Sequence, residues 1–460
     1  MDRGASPDLA PPLPNLAAAT RVWARIGLLS FGGPAGQIAL MHRELVEERR
    51  WIGEQRFLHA LNYCMLLPGP EAQQLAIYIG WLMHRTAGGL VAGLLFILPG
   101  VLVMLGLSTL YVLFHQVPLI EALFLGIKAA VLAIVVEAVL RIGKRALKGH
   151  AMLAIAAAAF IGIYAFRVPF PAIVLAAALV GWVGGRRWPS AFAQVGHGEI
   201  AHDVAGAVDL LIDQGKLDHV QPSLRRTLQV LATWLPLWLG PVVLLWAFTG
   251  SASIWTGIAT FFSTMAVVTF GGAYAVLAYV AQAAVDTFGW LKPGEMIDGL
   301  GLAETTPGPL VLVLQFVGFL AAYRASGVLS GLPAGVLGSL LTVWVTFAPC
   351  FLWIFLGAPY VEKLRGNRAV ASALAAVSAA VVGVILNLAL WFALHVVFRE
   401  VATPTFLGMR PAIPVFESLD WRAAALALAA LIAMFRFRLS MIPTLAACGL
   451  AGLALGVMFG

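Results

Sequence analysis

Helix-breaking residues interrupt the apolar stretches of this sequence at two related tetrapeptides, Leu67-Pro68-Gly69-Pro70 and Thr306-Pro307-Gly308-Pro309. Proline lacks a backbone N–H and disfavours helical geometry in the residue before it, so each tetrapeptide predicts the end of one helix and the start of another. The start of a helix carries free N–H groups and about +0.5 of a charge, which bind anions. These residues therefore predict an anion-binding site made largely of backbone groups. Simple kinks in packed helices are the alternative, and the duplication of the motif argues against them.

Two further breaks are the Phe-Gly-Gly sequences at 31–33 and 270–272. Glycine lets a ligand approach the backbone closely, although tight packing of small residues between helices explains these glycines nearly as well. Amide and hydroxyl side chains beside the breaks can donate hydrogen bonds to an oxyanion. The predicted substrate-binding residues are Gly32, Gly33, Gln37, Pro68, Gly69, Pro70, Gln73, Gly271, Gly272, Thr305, Thr306, Pro307, Gly308, Pro309 and Lys128.

These breaks belong to an internal duplication. One offset of 239 residues superimposes both pairs of breaks and also maps Trp51 onto Trp290, without a gap between residues 31 and 88. Seven apolar runs separate the two Phe-Gly-Gly sequences, and an odd number places the copies in opposite orientations. The basic cluster at 141–148 follows its apolar run, whereas the cluster at 363–368 precedes the corresponding run, which also indicates inversion. We predict two inverted homologous repeats.

The composition defines the class of protein. Of 460 residues, 61% are hydrophobic and only 11% are charged, whereas a soluble domain has about 25% charged residues. The apolar runs are continuous, which favours helices over a barrel. The sequence thus predicts an all-α polytopic membrane protein with about 13 transmembrane helices, some of them broken. The net charge of +7 is explained by loop Lys and Arg residues, so we expect lipid rather than nucleic acid as a partner.

Three ionisable residues stand out because charged groups inside a membrane are costly and usually functional. Glu304 and Glu71 would repel an anion when ionised, so they are candidates for coupling to a proton or cation. An ion pair with an arginine explains Glu304 equally well. Lys128 aligns with Arg368 of the second copy, and a pair of cations related by the repeat would suit an anion.

Polar stretches divide the chain. We expect a polar N-terminal tail at 1–19 without a cleaved signal, a first transport repeat at 20–184, a solvated polar linker at 185–228, and a second repeat with additional C-terminal helices at 229–460. The linker histidines could bind metal, but a plain polar loop is the better interpretation, and the cysteines lack a paired spacing. We expect no metal, cofactor or enzyme activity. The residues concerned are His197, His202, His219, Cys64, Cys350 and Cys448.

Together these motifs resemble the chromate ion transporter family in its long, two-copy form. The residues that carry the resemblance are Ser30 to Pro34, Arg43-Glu44, Trp51, Leu67 to Pro70, Gln74 to Ala76, Thr269 to Leu277 and Glu304 to Pro309. It covers about 22–140 and 254–390. The resemblance implies export of chromate from the bacterial cytoplasm, chromate resistance, and a multi-pass protein of the inner membrane. Sulfate is a tetrahedral dianion of similar size, and nothing in the sequence separates the two. A homodimer is left open.

Export of a dianion agrees with the membrane potential. Each charge is worth about 2.3 kcal/mol per 100 mV, so a dianion leaving a negative interior gains about 4.6 kcal/mol, a concentration ratio of roughly 10³. The sequence contains no nucleotide-binding P-loop motif. The alternative is a proton-coupled importer of sulfate or a related oxyanion that uses Glu304 or Glu71. A membrane-embedded enzyme is the third reading, and it lacks a nucleophile or metal motif.

Overall fold

The computed structural model describes residues 13–189, 192, 206–214, 217–268, 270, 273–325, 329–360, 368–405 and 409–459. The first copy folds into seven helices: α1 (Leu16–Leu29), α2 (Gly33–His42), α3 (Glu54–Leu66), α4 (Glu71–Phe114), α5 (Pro118–Ala146), α6 (His150–Phe166) and α7 (Phe170–Arg187). Two helices follow before the second copy, α8 (Ala207–Asp213) and α9 (Leu224–Thr249).

The second copy also consists of helices, with one small antiparallel strand pair. Its elements are α10 (Ile254–Val268), α11 (Ala273–Gln282), α12 (Pro293–Glu304), α13 (Val313–Tyr323), α14 (Gly331–Gly357), α15 (Arg368–Val397), β1 (Val401–Ala402), β2 (Ile413–Pro414), α16 (Trp421–Phe435) and α17 (Met441–Phe459). In the described part of the chain, seven helices are long and apolar enough to cross a membrane, and five shorter apolar helices accompany them. The protein is an all-α polytopic membrane protein.

The local structure recurs at the offset of the sequence repeat. In the first copy, α2 continues into a π-helical turn, Arg43–Glu48, and in the second copy α11 continues into the turn Ala283–Thr287. The long helix α4 leaves helical geometry at His84 and Arg85, and α13 ends at the corresponding position, Tyr323. The same residue types therefore produce the same sequence of short helices, breaks and one long helix in both copies.

The short helices around each break fold back on one another. The rings of Tyr63 and Tyr78, on the two sides of the first Pro-Gly-Pro, lie 5.8 Å apart, whereas a continuous helix would separate them by about 22 Å. Arg25 and Glu44 approach to 3.4 Å across the first Phe-Gly-Gly. In the second copy, Phe261 and Tyr279 are 5.9 Å apart. The chain therefore reverses at these three breaks, and the contact of Glu295 with Arg324 at 2.5 Å shows that it also reverses at the second Pro-Gly-Pro, so each break joins the two helices of a hairpin.

This geometry corrects the prediction that each break interrupts one membrane-spanning helix. Gly69 and Gly308 have φ angles of 119° and 97°, and this left-handed conformation between two prolines reverses the chain instead of bending it. Four of the thirteen predicted spans are therefore hairpins. The other nine correspond to the described helices α5 to α7, α9, α14 to α17, and the part of α4 that follows Arg85.

The two copies are interlocked through their long helices. Helix α5 of the first copy packs against α16 and α17 of the second, and α15 of the second copy packs against α6 and α7 of the first. This reciprocal exchange buries one apolar core between the copies, while α1, α3, α4 and α14 share a second core. The breaks lie where these helices meet.

Residues 206–209, within the predicted linker, are buried against the first copy. Ala207 and Val208 donate backbone hydrogen bonds to the carbonyls of Arg50 (3.1 Å) and Trp51 (3.0 Å), and Val208 is fully buried. His197 and His202 lie outside the described residues, and His219 bonds the carbonyl of Trp81 at 3.0 Å. Helix α1 begins inside the predicted tail, because Asn15 accepts a hydrogen bond from the Ala18 N–H and so caps the helix.

Candidate functional site

The hairpin tips of the two copies meet at Gly308. Its N–H donates to the carbonyl of Ser30 at 2.8 Å, and its carbonyl accepts a hydrogen bond of 2.6 Å from Nε2 of Gln37. Ser30 precedes the Phe-Gly-Gly break of the first copy, and Gln37 lies on α2 just after it. The two polar backbone groups of Gly308 are thus bound by the other copy, which brings together two of the four predicted breaks.

Glycine is required at both Pro-Gly-Pro tips. A Cβ atom on Gly308 would lie 3.2 Å from Leu312 Cδ1, and one on Gly69 would lie 2.9 Å from Gln74 Nε2 and 3.1 Å from Cys350 Sγ. The left-handed backbone adds strain for any other residue. The flanking prolines, Pro68, Pro70, Pro307 and Pro309, hold this backbone in place.

The glycines of the first Phe-Gly-Gly face open space. Gly32 and Gly33 have φ angles of 88° and 70°, and a Cβ atom on either would meet nothing within 4 Å. The positive φ angles, which residues other than glycine rarely adopt, are a sufficient reason for glycine at both positions, and the ligand role of these glycines stays a prediction. Gly271 and Gly272 lie outside the described residues, and the structure does not test their predicted role.

The start of α4 places hydrogen-bond donors at the first Pro-Gly-Pro tip. The helix begins at Glu71, directly after Pro70, so its first N–H groups point toward the tip. Gln73 is fully buried, and among the described residues neither polar atom of its amide has a hydrogen-bond partner. A buried polar group without a partner is costly, so Gln73 is available to a ligand at this position. Glu71 is half-buried beside it.

Two of the predicted hydroxyl donors are engaged within their own helix. The hydroxyls of Thr305 and Thr306 donate to the carbonyl of Leu302 at 2.8 and 2.7 Å. In this conformation they do not donate to a ligand. Glu304, one residue earlier, is 3% exposed and accepts a hydrogen bond of 2.8 Å from the Tyr274 hydroxyl. Both interpretations offered for Glu304 therefore stay predictions: among the described residues its carboxyl is bound by the Tyr274 hydroxyl, and the nearby Arg141 on α5 pairs with Glu137 at 2.5 Å.

Lys128 lies away from the tips, in a charged cluster that includes residues not predicted from the sequence. Its Nζ is 3.3 Å from Oδ1 of Asp298 on α12, and the hydroxyl of Tyr111 donates to the other carboxylate oxygen at 2.9 Å. Asp298 precedes Glu304 on the same helix by about 9 Å. An acid inside an apolar run was a signal for Asp298. The side chain of Arg368, predicted as the partner of Lys128, lies outside the described residues.

A second ion pair lies one turn before Asp298. Arg324 binds Glu295 through two hydrogen bonds of 2.9 and 2.5 Å, and Glu295 also accepts the Lys292 N–H at 2.8 Å. A cavity of about 500 Å³ adjoins this pair. The polar residues that line it are Tyr111, His115, Gln116, Lys292, Glu295, Tyr323 and Arg324.

Interlocked copies with hairpin tips that meet inside an apolar bundle define the class: a polytopic membrane protein built around paired helix breaks. The chain belongs to the chromate transporter family, whose sequence model matches residues 17–182 and 256–453. It is 34% identical to the chromate transport protein of Pseudomonas aeruginosa, over 78% of this chain and 77% of that protein. It is 29% identical to the chromate transport protein of Cupriavidus metallidurans, over 78% of both chains. No solved structure is similar to the chain.

Proposed function

We propose that this protein is a secondary transporter that exports chromate across the bacterial cytoplasmic membrane and so confers chromate resistance. The names of its relatives support chromate as the substrate. The observation that carries the mechanism is the contact of Gly308 with Ser30 and Gln37. It joins a break of each copy at one point, where a relative movement of the copies would change the site.

We further propose that the copies, 20–184 and 229–460, are inverted. A hairpin returns the chain to the side from which it entered, and five longer segments lie between the two sets of hairpins: the second part of α4, then α5, α6, α7 and α9. An odd number of crossings puts the second set on the opposite side. Such paired, discontinuous helices from inverted repeats are typical of secondary transporters.

The distribution of basic residues supports an orientation. The chain path of two hairpins, five crossings and two further hairpins places most loop Lys and Arg residues on the side of the first-copy hairpins. The positive-inside rule assigns that side to the cytoplasm. The hairpins of the first copy would then enter from the cytoplasm and those of the second copy from outside. The described basic residues on the cytoplasmic side include Arg43, Arg49, Arg50, Arg56, Arg85, Lys144, Arg145, Lys148, Arg186, Arg187, Arg225, Arg226, Arg436 and Arg438.

The donors at the tips suit a tetrahedral oxyanion. The first N–H groups of α4 and the amide of Gln73 are hydrogen-bond donors without a formal charge, so the site can hold a dianion and release it. Because a fixed cation would hold the anion more strongly, uncharged donors favour turnover. The membrane potential then drives export, as estimated above from the charge of a dianion.

Transport by everted membrane vesicles tests this proposal. The cytoplasmic side of everted vesicles faces the medium, so a positive-inside potential should drive accumulation of labelled chromate, and excess sulfate should compete. Vesicles without the protein are the control. Accumulation that depends on the potential supports the electrogenic exporter. No accumulation with either a potential or a pH gradient would refute it.

The second candidate is proton-coupled import of sulfate or a related oxyanion. The observation in its favour is Glu304, a buried carboxyl beside the second-copy tip that the Tyr274 hydroxyl binds at 2.8 Å. Accumulation that requires a pH gradient, and that Glu304→Gln or Glu71→Gln abolishes, would favour this candidate over the exporter.

A further inference from the structure

The ion pair between Lys128 and Asp298 lies at an interface between the copies. Lys128 is on α5 of the first copy and Asp298 is on α12 of the second, with Nζ and Oδ1 3.3 Å apart. Gly294 leaves room for the ammonium group, since a Cβ atom there would lie 3.1 Å from Nζ. The pair is therefore a direct charge contact across the two copies.

The pair is incompletely satisfied. Asp298 is 4% exposed, and among the described residues its Oδ1 accepts no hydrogen bond, because Lys128 lies outside hydrogen-bond geometry. About a quarter of the Lys128 side chain is exposed. A partly exposed cation that faces one buried carboxylate oxygen can exchange that oxygen for another anion.

The cavity adjoins this pair through Tyr111, whereas neither Lys128 nor Asp298 lines it, so an anion would reach the pair past the Tyr111 side chain. Tyr111 lines the cavity and also donates its hydroxyl to Asp298 at 2.9 Å. Lys292 on the cavity wall favours the entry of anions, whereas the charge of Arg324 is balanced by Glu295 on the same wall. In the proposed orientation the cavity opens toward the outside of the cell.

We propose that Lys128 and Asp298 form a second oxyanion subsite, in which an oxyanion from the cavity takes the place of Asp298 on Lys128 and Asp298 binds a proton. This inference rests on the proposed function, because it assumes that the protein handles a dianion. It assigns Lys128 to a subsite separate from the hairpin tips, and it gives Asp298 the role of a competing anion.

The exchange is balanced in charge and protons. The contact between the Lys128 ammonium and the Asp298 carboxylate is replaced by a contact between that ammonium and the oxyanion. A buried carboxylate without its cation is costly, so it takes one proton from water in the cavity and becomes neutral. Tyr111 keeps its hydrogen bond to the carboxyl. The subsite thus gains two negative charges and one proton, a net change of −1.

The other charged and titratable groups around Asp298 have their own partners. On α12, Glu295 is held by Arg324 at the end of α13. On α4, His115 stacks on Tyr111 with ring centroids 5.0 Å apart and bonds the Tyr111 carbonyl. These contacts leave Asp298 as the carboxyl that changes partner when an oxyanion binds Lys128.

Calorimetric titration of the purified full-length protein with chromate tests the subsite. Titrations in two buffers of different ionisation enthalpy give the number of protons taken up per chromate bound. We expect the wild type to take up about one proton more per chromate than Asp298→Asn. Protonation of the chromate itself contributes equally to both titrations and therefore cancels in this difference. We also expect Asp298→Asn to bind chromate roughly tenfold more tightly or better, because a competing anion within 4 Å is removed.

Substitution of the cation completes the test. Lys128→Met should weaken chromate binding roughly tenfold or more. Lys128→Arg retains the positive charge and should bind chromate, and this variant is the one to measure if the methionine variant does not fold. Glu121→Gln, an exposed acid on α5, is the matched control and should behave as the wild type.

Two results would overturn the subsite. One is an equal proton number in the wild type and Asp298→Asn, and the other is unchanged affinity in Lys128→Met. If everted vesicles still accumulated chromate, the proposed function would stand without the subsite. A wild type that neither binds nor transports chromate would overturn both.

Discussion

The N–H of Gly308 donates a hydrogen bond of 2.8 Å to the carbonyl of Ser30, and this bond joins the tips of two hairpins from different copies. The carbonyl of Gly308 is bound in turn by Gln37. The prolines on either side lack an N–H, and both polar backbone groups of Gly308 are used across the copies. Any relative movement of the hairpins must break these bonds or carry them along, which makes this contact the first target for substitution.

Gln37→Leu should reduce chromate accumulation in everted vesicles roughly tenfold. The substitution keeps the approximate size of the side chain but leaves the buried Gly308 carbonyl without a donor, which costs about 1–3 kcal/mol. Gln229→Leu, at an exposed position on α9, is the matched control. Equal rates in Gln37→Leu and the control, at equal amounts of inserted protein, would show that the contact has no part in transport.

Bulky substitutions at the Pro-Gly-Pro tips should abolish transport but permit insertion into the membrane. In Gly308→Leu and Gly69→Leu the new side chain meets close neighbours and a left-handed backbone, which costs on the order of 1–3 kcal/mol for strain alone. Gly106→Leu is the control, because a Cβ atom there meets nothing within 4 Å. Membrane content is measured by immunoblot beside the uptake. Normal uptake by both tip variants would refute the proposed site.

The sequence predicts the breaks, the repeat and the class of protein, because each depends on local residue types. A glycine between two prolines sets each Pro-Gly-Pro break, and Gly69 and Gly308 indeed adopt positive φ angles. The direction of the chain after a break, in contrast, could not be predicted from the sequence. Both outcomes bury the same apolar residues, so the contact of Tyr63 with Tyr78, which requires reversal, has no signature in apolar periodicity.

The charged cluster was missed for a related reason. Lys128 was visible as an ionisable group in an apolar run, but its partner Asp298 lies in the other copy. The predicted partner, Arg368, followed from the repeat alignment, which relates equivalent positions rather than positions in contact. Interlocking of the copies brings non-equivalent positions together, and such pairs can be identified only from the fold.

His219 should make the stability of the protein depend on pH. Burial lowers the pKa of His219 and outweighs the hydrogen bond of its Nε2 with the Trp81 carbonyl, which acts in the opposite direction, so the folded state favours the neutral ring. As pH falls through about 6.5, the unfolded chain takes up a proton more readily than the folded one, and stability is lost. The stability is fully present above this pH.

Thermal unfolding of the purified protein measures this effect. The substitution His219→Asn removes the hydrogen bond of the neutral histidine. At a pH above about 6.5 it should therefore lower Tm relative to the wild type, and one pH unit below 6.5 the decrease in Tm should be smaller. His150→Asn, at an exposed position, should give the same small difference at both values. A Tm difference between wild type and His219→Asn that does not change with pH would contradict the expectation.

The linker carboxylate Asp209 occupies in the first copy the place that Glu295 occupies in the second. Glu295 accepts the N–H of Lys292 at 2.8 Å and binds Arg324. The equivalent of Lys292 is Gly53, whose N–H is accepted by Asp209 at 2.6 Å. The equivalent of Glu295 is Arg56, which pairs with Asp209. The first copy therefore takes this carboxylate from the linker and does not supply its own.

Asp209→Ala should lower stability by about 2 kcal/mol, since it removes a charged hydrogen-bond acceptor from Gly53 and leaves Arg56 without its partner. Addition of Arg56→Glu should restore part of the lost Tm, because the carboxylate then lies at the position of Glu295 and can accept the Gly53 N–H itself. Arg56→Glu alone places two carboxylates together and should destabilise. Differential scanning fluorimetry of the three variants measures the cycle. A double variant no more stable than Asp209→Ala would show that the equivalence with Glu295 is one of position only.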